Sequence, residues 1–121
     1  VNISPMAKGY VRTPGIYTTE QIESWRKITE AVHAKGGKIF MQIFHTGRIA
    51  LPDFLPNKTQ PVAPSAVRAE GQNYTDEGMK DFVVPREFTI EEIKQTVQDF
   101  GKAAKNAIEA GFDGVELHGA N

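Results

Sequence analysis

Hydrophobic and polar positions along the chain follow two different periods, and the switch between them occurs twice. Behind Thr18, the apolar residues Ile22, Trp25, Ile28 and Val32 recur at helical spacing with polar residues between them. Thr18 and Gln21 stand three apart, the spacing at which a hydroxyl and an amide satisfy the free N–H groups of a first helical turn. Gly36 and Gly37 come next, and both can take the left-handed backbone that stops a helix. The run 38–44 (KIFMQIF) then reads as a buried strand. The same grammar returns further on. Thr89 and Glu92 form a second capping box, and Ile93, Val97, Phe100, Ala104 and Ile108 make one apolar stripe. Gly111 ends that helix, and 113–118 (DGVELH) is the next strand. Helix, glycine and short buried strand, twice over, predict a parallel α/β protein.

Between the two units lies a long segment, about 46–88, with Pro52, Pro56, Pro61, Pro64 and Pro85 and weak periodicity. A loop of this length inside a compact domain is a functional lid or holds small inserted elements, a short hairpin among them. Val1 to Ile3 reads as the tail of another strand, with 4–17 as the loop leaving it and a turn at Pro14-Gly15. The chain opens with Val1 and stops at Asn121 directly after an apolar stretch, so it reads as a piece of something longer.

Composition narrows the function classes. The 121 residues are 40% hydrophobic and 24% charged, as in an average globular protein. The formal net charge of −1 argues against a general nucleic-acid or membrane-surface binder, since both want a basic excess. No apolar run is long enough to span a bilayer, and no signal peptide is visible. The absence of cysteine excludes disulfides, thiolate metal sites and a cysteine nucleophile. It fits a reducing compartment, so a cytoplasmic location is expected. Asn2, Asn57 and Asn73 head N-x-S/T triplets, which arise often by chance. GxGxxG, Walker, HExxH and GxSxG motifs are all missing, and no metal is expected.

In parallel α/β folds ligands bind at the carboxyl ends of the strands. The first strand ends in Gln42, Phe44 and His45, and the second in His118, Gly119, Ala120 and Asn121. Alternation puts Phe40, Gln42 and Phe44 on one face, and Gly114, Glu116 and His118 together. Ile39, Met41, Ile43, Val115 and Leu117 form the apolar opposite face, which should meet the helices. His118 and Asn121 read in two ways. They are two donors converging on a carbonyl or nitro oxygen, or a strand-end histidine capping a loop beside an asparagine in a turn. Gln42 suits the pyrimidine edge of a flavin or nucleobase, or is satisfied by neighbouring backbone. Glu116 is an acid or base, or, the favoured reading, half of an ion pair with Arg48. His45 reads as a loop histidine before a ligand contact. His33 reads as solvated or facing the helix dipole, and Trp25 as core.

The strings ISPMAKGY at 3–10, TPGIYT at 13–18, QIFHTGR at 42–48, PVAPSAV at 61–67 and VELHGAN at 115–121 together resemble the Old Yellow Enzyme family. These are FMN-dependent NAD(P)H:flavin oxidoreductases, or ene-reductases. The resemblance implies a portion of a (β/α)8 TIM barrel: the end of strand 2, then strands 3 and 4 with their helices. A whole barrel takes about 250 residues or more. Residues 1–121 would be a partial FMN-binding barrel domain carrying the insertion at about 46–88. The implied site has His118 and Asn121 as the catalytic pair holding the substrate oxygen, with Gln42 on the flavin. Tyr10 and Phe44 would line the substrate pocket, Phe44 standing where many relatives have tryptophan. The implied cofactors are FMN and NADPH or NADH. The partners are a small-molecule substrate, the remainder of the same barrel, and a second copy in a homo-oligomer. A dienoyl-CoA reductase-like flavin barrel and a non-catalytic module built on a barrel fragment are the alternatives. By the same resemblance, a tyrosine that protonates the substrate would follow Asn121.

Overall fold

The computed structural model describes residues 1–120. Its centre is a parallel pair, β1 (Phe40–Ile43) and β6 (Gly114–Leu117), in register Phe40–Gly114, Met41–Val115, Gln42–Glu116 and Ile43–Leu117. Both strands are shorter than the runs the sequence predicts. Val1–Ile3 continues this layer on the other side of β1. Asn2 forms parallel bridges with Phe44 and with Gly15, and the Phe44 N–H donates to the Val1 carbonyl at 3.0 Å. The expected tail of a further parallel strand is therefore present.

Helix α1 (Thr19–Ala34) starts with the predicted reciprocal cap. Thr18 Oγ1 accepts from the Gln21 N–H at 3.2 Å, and Gln21 Oε1 accepts from the Thr18 N–H at 3.1 Å. Helix α2 (Ile90–Glu109) is capped in the same way by Thr89 and Glu92. Both helices pack on one face of the sheet. Met41 and Ile43 are fully buried there with Ile3, Ile16, Ile22, Ala103, Ala107 and Phe112, and Trp25 packs edge-on to Phe112 as a core residue.

The expected stripe on α2 is not its buried face. Ile93, Val97 and Ile108 are exposed, while Ala103, Asn106 and Ala107 face inward, with Phe100 and Ala104 at the margin. Small side chains let the helix axis approach the strands closely. Asn106 is satisfied there by donating to the Ile16 carbonyl at 2.8 Å. Ile28 on α1 is likewise exposed. Leu117, expected to meet the helices, is 68% exposed, because no described helix reaches over the end of β6.

The segment 46–88 holds the small elements its length requires. Three short 3-10 turns lead to a two-residue parallel pair, β2 (Val62–Ala63) with β5 (Arg86–Glu87). Between them stands an antiparallel hairpin of β3 (Gln72–Thr75) and β4 (Gly78–Asp81). Its turn is closed by Thr75, whose hydroxyl accepts from the Glu77 N–H at 3.1 Å and donates to the Gly78 carbonyl at 2.8 Å. Gly78 takes φ +106°, a conformation that favours glycine.

Candidate functional site at the strand carboxyl ends

Register decides which side chains share a face. Gln42 lies opposite Glu116, so Phe44 and His118, two residues on, follow on the same side. The rings confirm it: Phe44 packs edge-on to His118 at a centroid distance of 6.4 Å. Tyr10 packs edge-on to the other flank of Phe44 at 6.3 Å. Tyr10, Phe44 and His118 thus form one aromatic row across the mouth of three adjacent strands, with Gln42 one step below. The His118 N–H donates to the Ile43 carbonyl at 3.0 Å, which carries the parallel pairing up to the histidine.

This face is open. Phe40, Gln42 and Glu116 are exposed and His118 half-exposed. Among the described residues, the side chains of Gln42, Glu116 and His118 make no hydrogen bond. The expected Glu116–Arg48 ion pair is absent among them; Arg48 instead donates to the Val67 carbonyl at 3.4 Å. The two charges do not meet because the insertion carries Arg48 away from the sheet face. Asn121, the second expected donor, lies outside the described residues.

His45 points the other way. Its Nδ1 accepts from the Gly47 N–H at 3.1 Å, and its ring stacks edge-on with Phe88 at 5.8 Å. Burial holds its pKa below the ordinary histidine value, with Asp99 pulling in the opposite direction. It borders a cavity of about 550 Å³ between Met6, Val62, Phe88 and the start of α2. A second cavity of about 550 Å³ lies between the 13–17 turn and α1. Neither includes Gln42, Phe44 or His118. The candidate site is therefore an open sheet face, and His45 lies off it, in the loop after β1.

His33 is not simply solvated. Its Nε2 lies 2.8 Å from Asp113 Oδ2, which also accepts from the Ile39 N–H at 2.9 Å. Lys38 Nζ lies 3.3 Å from the other carboxylate oxygen. These partners, His33 first, hold the Asp113 carboxyl well below the usual carboxylate range. The cluster sits at the amino ends of the strands, away from the aromatic row.

Three residues that fix the loop leading to Tyr10 carry no periodic signal. Thr46 is fully buried, and both its N–H and its hydroxyl donate to the Ala7 carbonyl, at 3.2 and 3.0 Å. Gly9 lies so close to the Thr46 side chain that a Cβ there would overlap it. Asn73, visible in the sequence only as the head of a chance triplet, donates to the Gly9 carbonyl at 2.7 Å.

A family model described as the NADH:flavin oxidoreductase / NADH oxidase family matches residues 1–121. The chain belongs to this family. Rice (Oryza sativa subsp. japonica) 12-oxophytodienoate reductase 1 is 48% identical over 120 residues, covering 99% of this chain and 30% of that protein. Morphinone reductase in complex with tetrahydroNAD superposes with a TM-score of 0.92 at 46% identity, over 100% of this chain and 35% of that one. The Old Yellow Enzyme homologue from Zymomonas mobilis gives 0.91 at 43%, over 97% and 32%. The chain thus spans about a third of the length of these relatives, and its fold is a portion of their (β/α)8 barrel. The position of Val1–Ile3, β1 and β6 side by side and parallel is that of three consecutive barrel strands.

Proposed function

We propose that residues 1–121 form an FMN-facing third of an ene-reductase that passes hydride from NADPH or NADH, through FMN, to activated C=C bonds of enones or nitroalkenes. The observation that carries this reading is the row Tyr10–Phe44–His118 standing above Gln42 on the open face at the strand carboxyl ends. Gln42 fits a flavin: its amide has a donor and an acceptor edge, both unspent among the described residues, as a pyrimidine edge requires. Bound FMN would supply two-electron chemistry, accepting hydride from a nicotinamide and releasing it to carbon.

The chain's own residues then divide the remaining work. Gln42 orients the cofactor. His118 donates a hydrogen bond to the substrate oxygen, which stabilises negative charge developing there and makes the β-carbon electrophilic. Asn121, outside the described residues, is assigned the second donor by family resemblance. Tyr10 and Phe44 wall the substrate pocket. On this reading Phe40, Leu117 and the exposed stripe of α2 pack against the remainder of the barrel, and the enzyme is cytoplasmic.

The test uses the intact protein. Purified with FMN, it should bleach its flavin absorbance under NADPH or NADH and recover it on adding 2-cyclohexenone. His118→Ala should weaken binding of a phenol by about 1.5–3 kcal/mol while leaving FMN bound. A flavin that no nicotinamide reduces, or an unchanged phenol dissociation constant, rejects the assignment.

A further inference from the structure

The loop that carries Tyr10 is held from outside the barrel sheet. Gly9 precedes Tyr10, and the Gly9 carbonyl belongs to the same planar peptide unit as the Tyr10 nitrogen and Cα. That carbonyl accepts the Asn73 Nδ2–H at 2.7 Å, and the same amide donates to the Ile49 carbonyl at 2.9 Å. Ile49 ends the turn that leaves the strand of Phe44. One side chain on the hairpin therefore ties the loop of Tyr10 to the turn that follows the strand of Phe44. Asn73 is itself fixed, since its Oδ1 accepts from the Tyr74 N–H at 2.9 Å.

The other contacts leave the peptide little freedom. Gly9 is pressed against the Thr46 side chain, and Thr13 Oγ1 donates to the Tyr10 carbonyl at 2.7 Å. At the hairpin tip Asp76 pairs with Arg12, a residue held at φ +56° in the same loop. The hairpin base is anchored in turn, with Lys80 reaching Asp53 at 2.7 Å.

We infer that the 72–81 hairpin is a positioning device for the substrate pocket, and that Asn73 is the positioning residue that sets where the Tyr10 ring stands against Phe44. This rests on the reading of Tyr10 as a pocket residue given above. Asn73 makes its polar contacts to the backbone of Gly9, Ile49 and Tyr74. It acts by fixing the peptide plane from which Tyr10 projects, and a ring displaced by about 1 Å is enough to degrade a pocket.

Asn73→Asp separates this role from a structural one. The carboxylate keeps the acceptor that holds the Tyr74 N–H, but turns the donor toward Gly9 and Ile49 into an oxygen facing two carbonyls. In the intact FMN-loaded protein, phenol binding followed by flavin absorbance should weaken about fivefold to tenfold, with FMN content unchanged. Lowering the pH should restore part of the affinity, because the introduced carboxyl regains one donor when protonated. Asn73→Ala, which adds no charge, should weaken binding without the acid rescue. In a Tyr10→Ala background either change should add nothing, since its effect is transmitted through that ring. Additive effects overturn the inference, as does loss of FMN from both variants, which would make Asn73 a support of the fold. If Tyr10→Ala alone leaves phenol binding unchanged, the pocket assignment of Tyr10 fails, and the inference fails with it. If Tyr10→Ala weakens binding and Asn73→Asp does not, only the inference fails.

Discussion

The two ends of the β1–β6 sheet are built on opposite plans. At the amino ends, polar groups are spent on other parts of the chain. Asp113 accepts from Ile39, His33 and Lys38, and the Thr29 hydroxyl bridges to the Ala110 carbonyl at 2.7 Å. Arg26 reaches the Glu109 carbonyl at 3.0 Å. At the carboxyl ends, Gln42, Glu116 and His118 share an open face, and their side chains make no hydrogen bond or ion pair among the described residues. A group paired within the chain contributes to stability, and a group held unpaired on a rigid strand is available to a ligand. The sheet thus separates the two tasks along one direction, and substitutions at the two ends should have separable consequences.

The largest expected effect is at the closed end and on stability. Gly111 takes φ +92°, and a Cβ there would stand 2.6 Å from Thr29 Oγ1. Gly111→Ala therefore meets both a left-handed backbone and a filled site. It should destabilise the intact protein by about 2–4 kcal/mol in urea unfolding. Phenol affinity per bound flavin should stay within twofold or so, because Gly111 lies at the other end of β6 from His118. A loss of affinity that tracks the loss of stability would show that the two ends are coupled and break the comparison.

A smaller effect of the opposite kind is expected at the open end. Phe44 stands between Tyr10 and His118, so its size sets the gap between them. Phe44→Trp should narrow the pocket and shift the kcat/KM ratio of a small to a bulky enone by about threefold to tenfold. Melting temperature and reduction of the flavin should hardly move. Identical ratios in the two proteins would mean that Phe44 does not face the substrate.

The same separation explains what the amino-acid sequence discloses. Both capping boxes are legible because Thr18 with Gln21, and Thr89 with Glu92, act within one helical turn. The shared face of Gln42 and His118 is legible because strand alternation has a fixed period of two. The buried face of α2 is not. Periodicity finds the stripe of Ile93, Val97 and Ile108, but only the sheet decides that the adjacent Ala103–Asn106–Ala107 face turns inward. Long-range polar pairs are also hidden. His33 and Asp113 are 80 positions apart, and Asn73 and Gly9 are 64 apart, with no local pattern linking either pair. Of these four residues only Gly9 lies within the strings that point to the flavin family, and the string does not reveal what holds it in place.

The smallest effect is in acid, and it compares the carboxylates at the two ends. Glu92, at the start of α2, takes both Arg86 guanidinium nitrogens, at 2.9 and 2.7 Å, and the Thr89 N–H at 2.8 Å. The Arg86 hydrogen bonds, followed by the backbone one, lower its pKa from 4.5 to about 2. Asp113 at the other end is lowered as well, by His33 first and then the Ile39 N–H. For a carboxyl lowered in the folded state, the unfolded chain binds its proton first. The stability that Glu92 contributes is therefore complete above pH 4.5 and is lost as pH falls toward 2. Both groups lie at the surface, so solvent screening keeps each contribution small. Glu92→Gln keeps an oxygen for the Thr89 N–H but gives up the charge on Arg86, so it should flatten that part of the stability-versus-pH curve. Asp113→Asn should leave this limb in place and remove the loss that begins below pH 3.8 and runs to lower pH. Urea midpoints measured from pH 6 down to 2 would check both. A Glu92→Gln curve parallel to the parent's would show that the Arg86 pair carries no pH dependence.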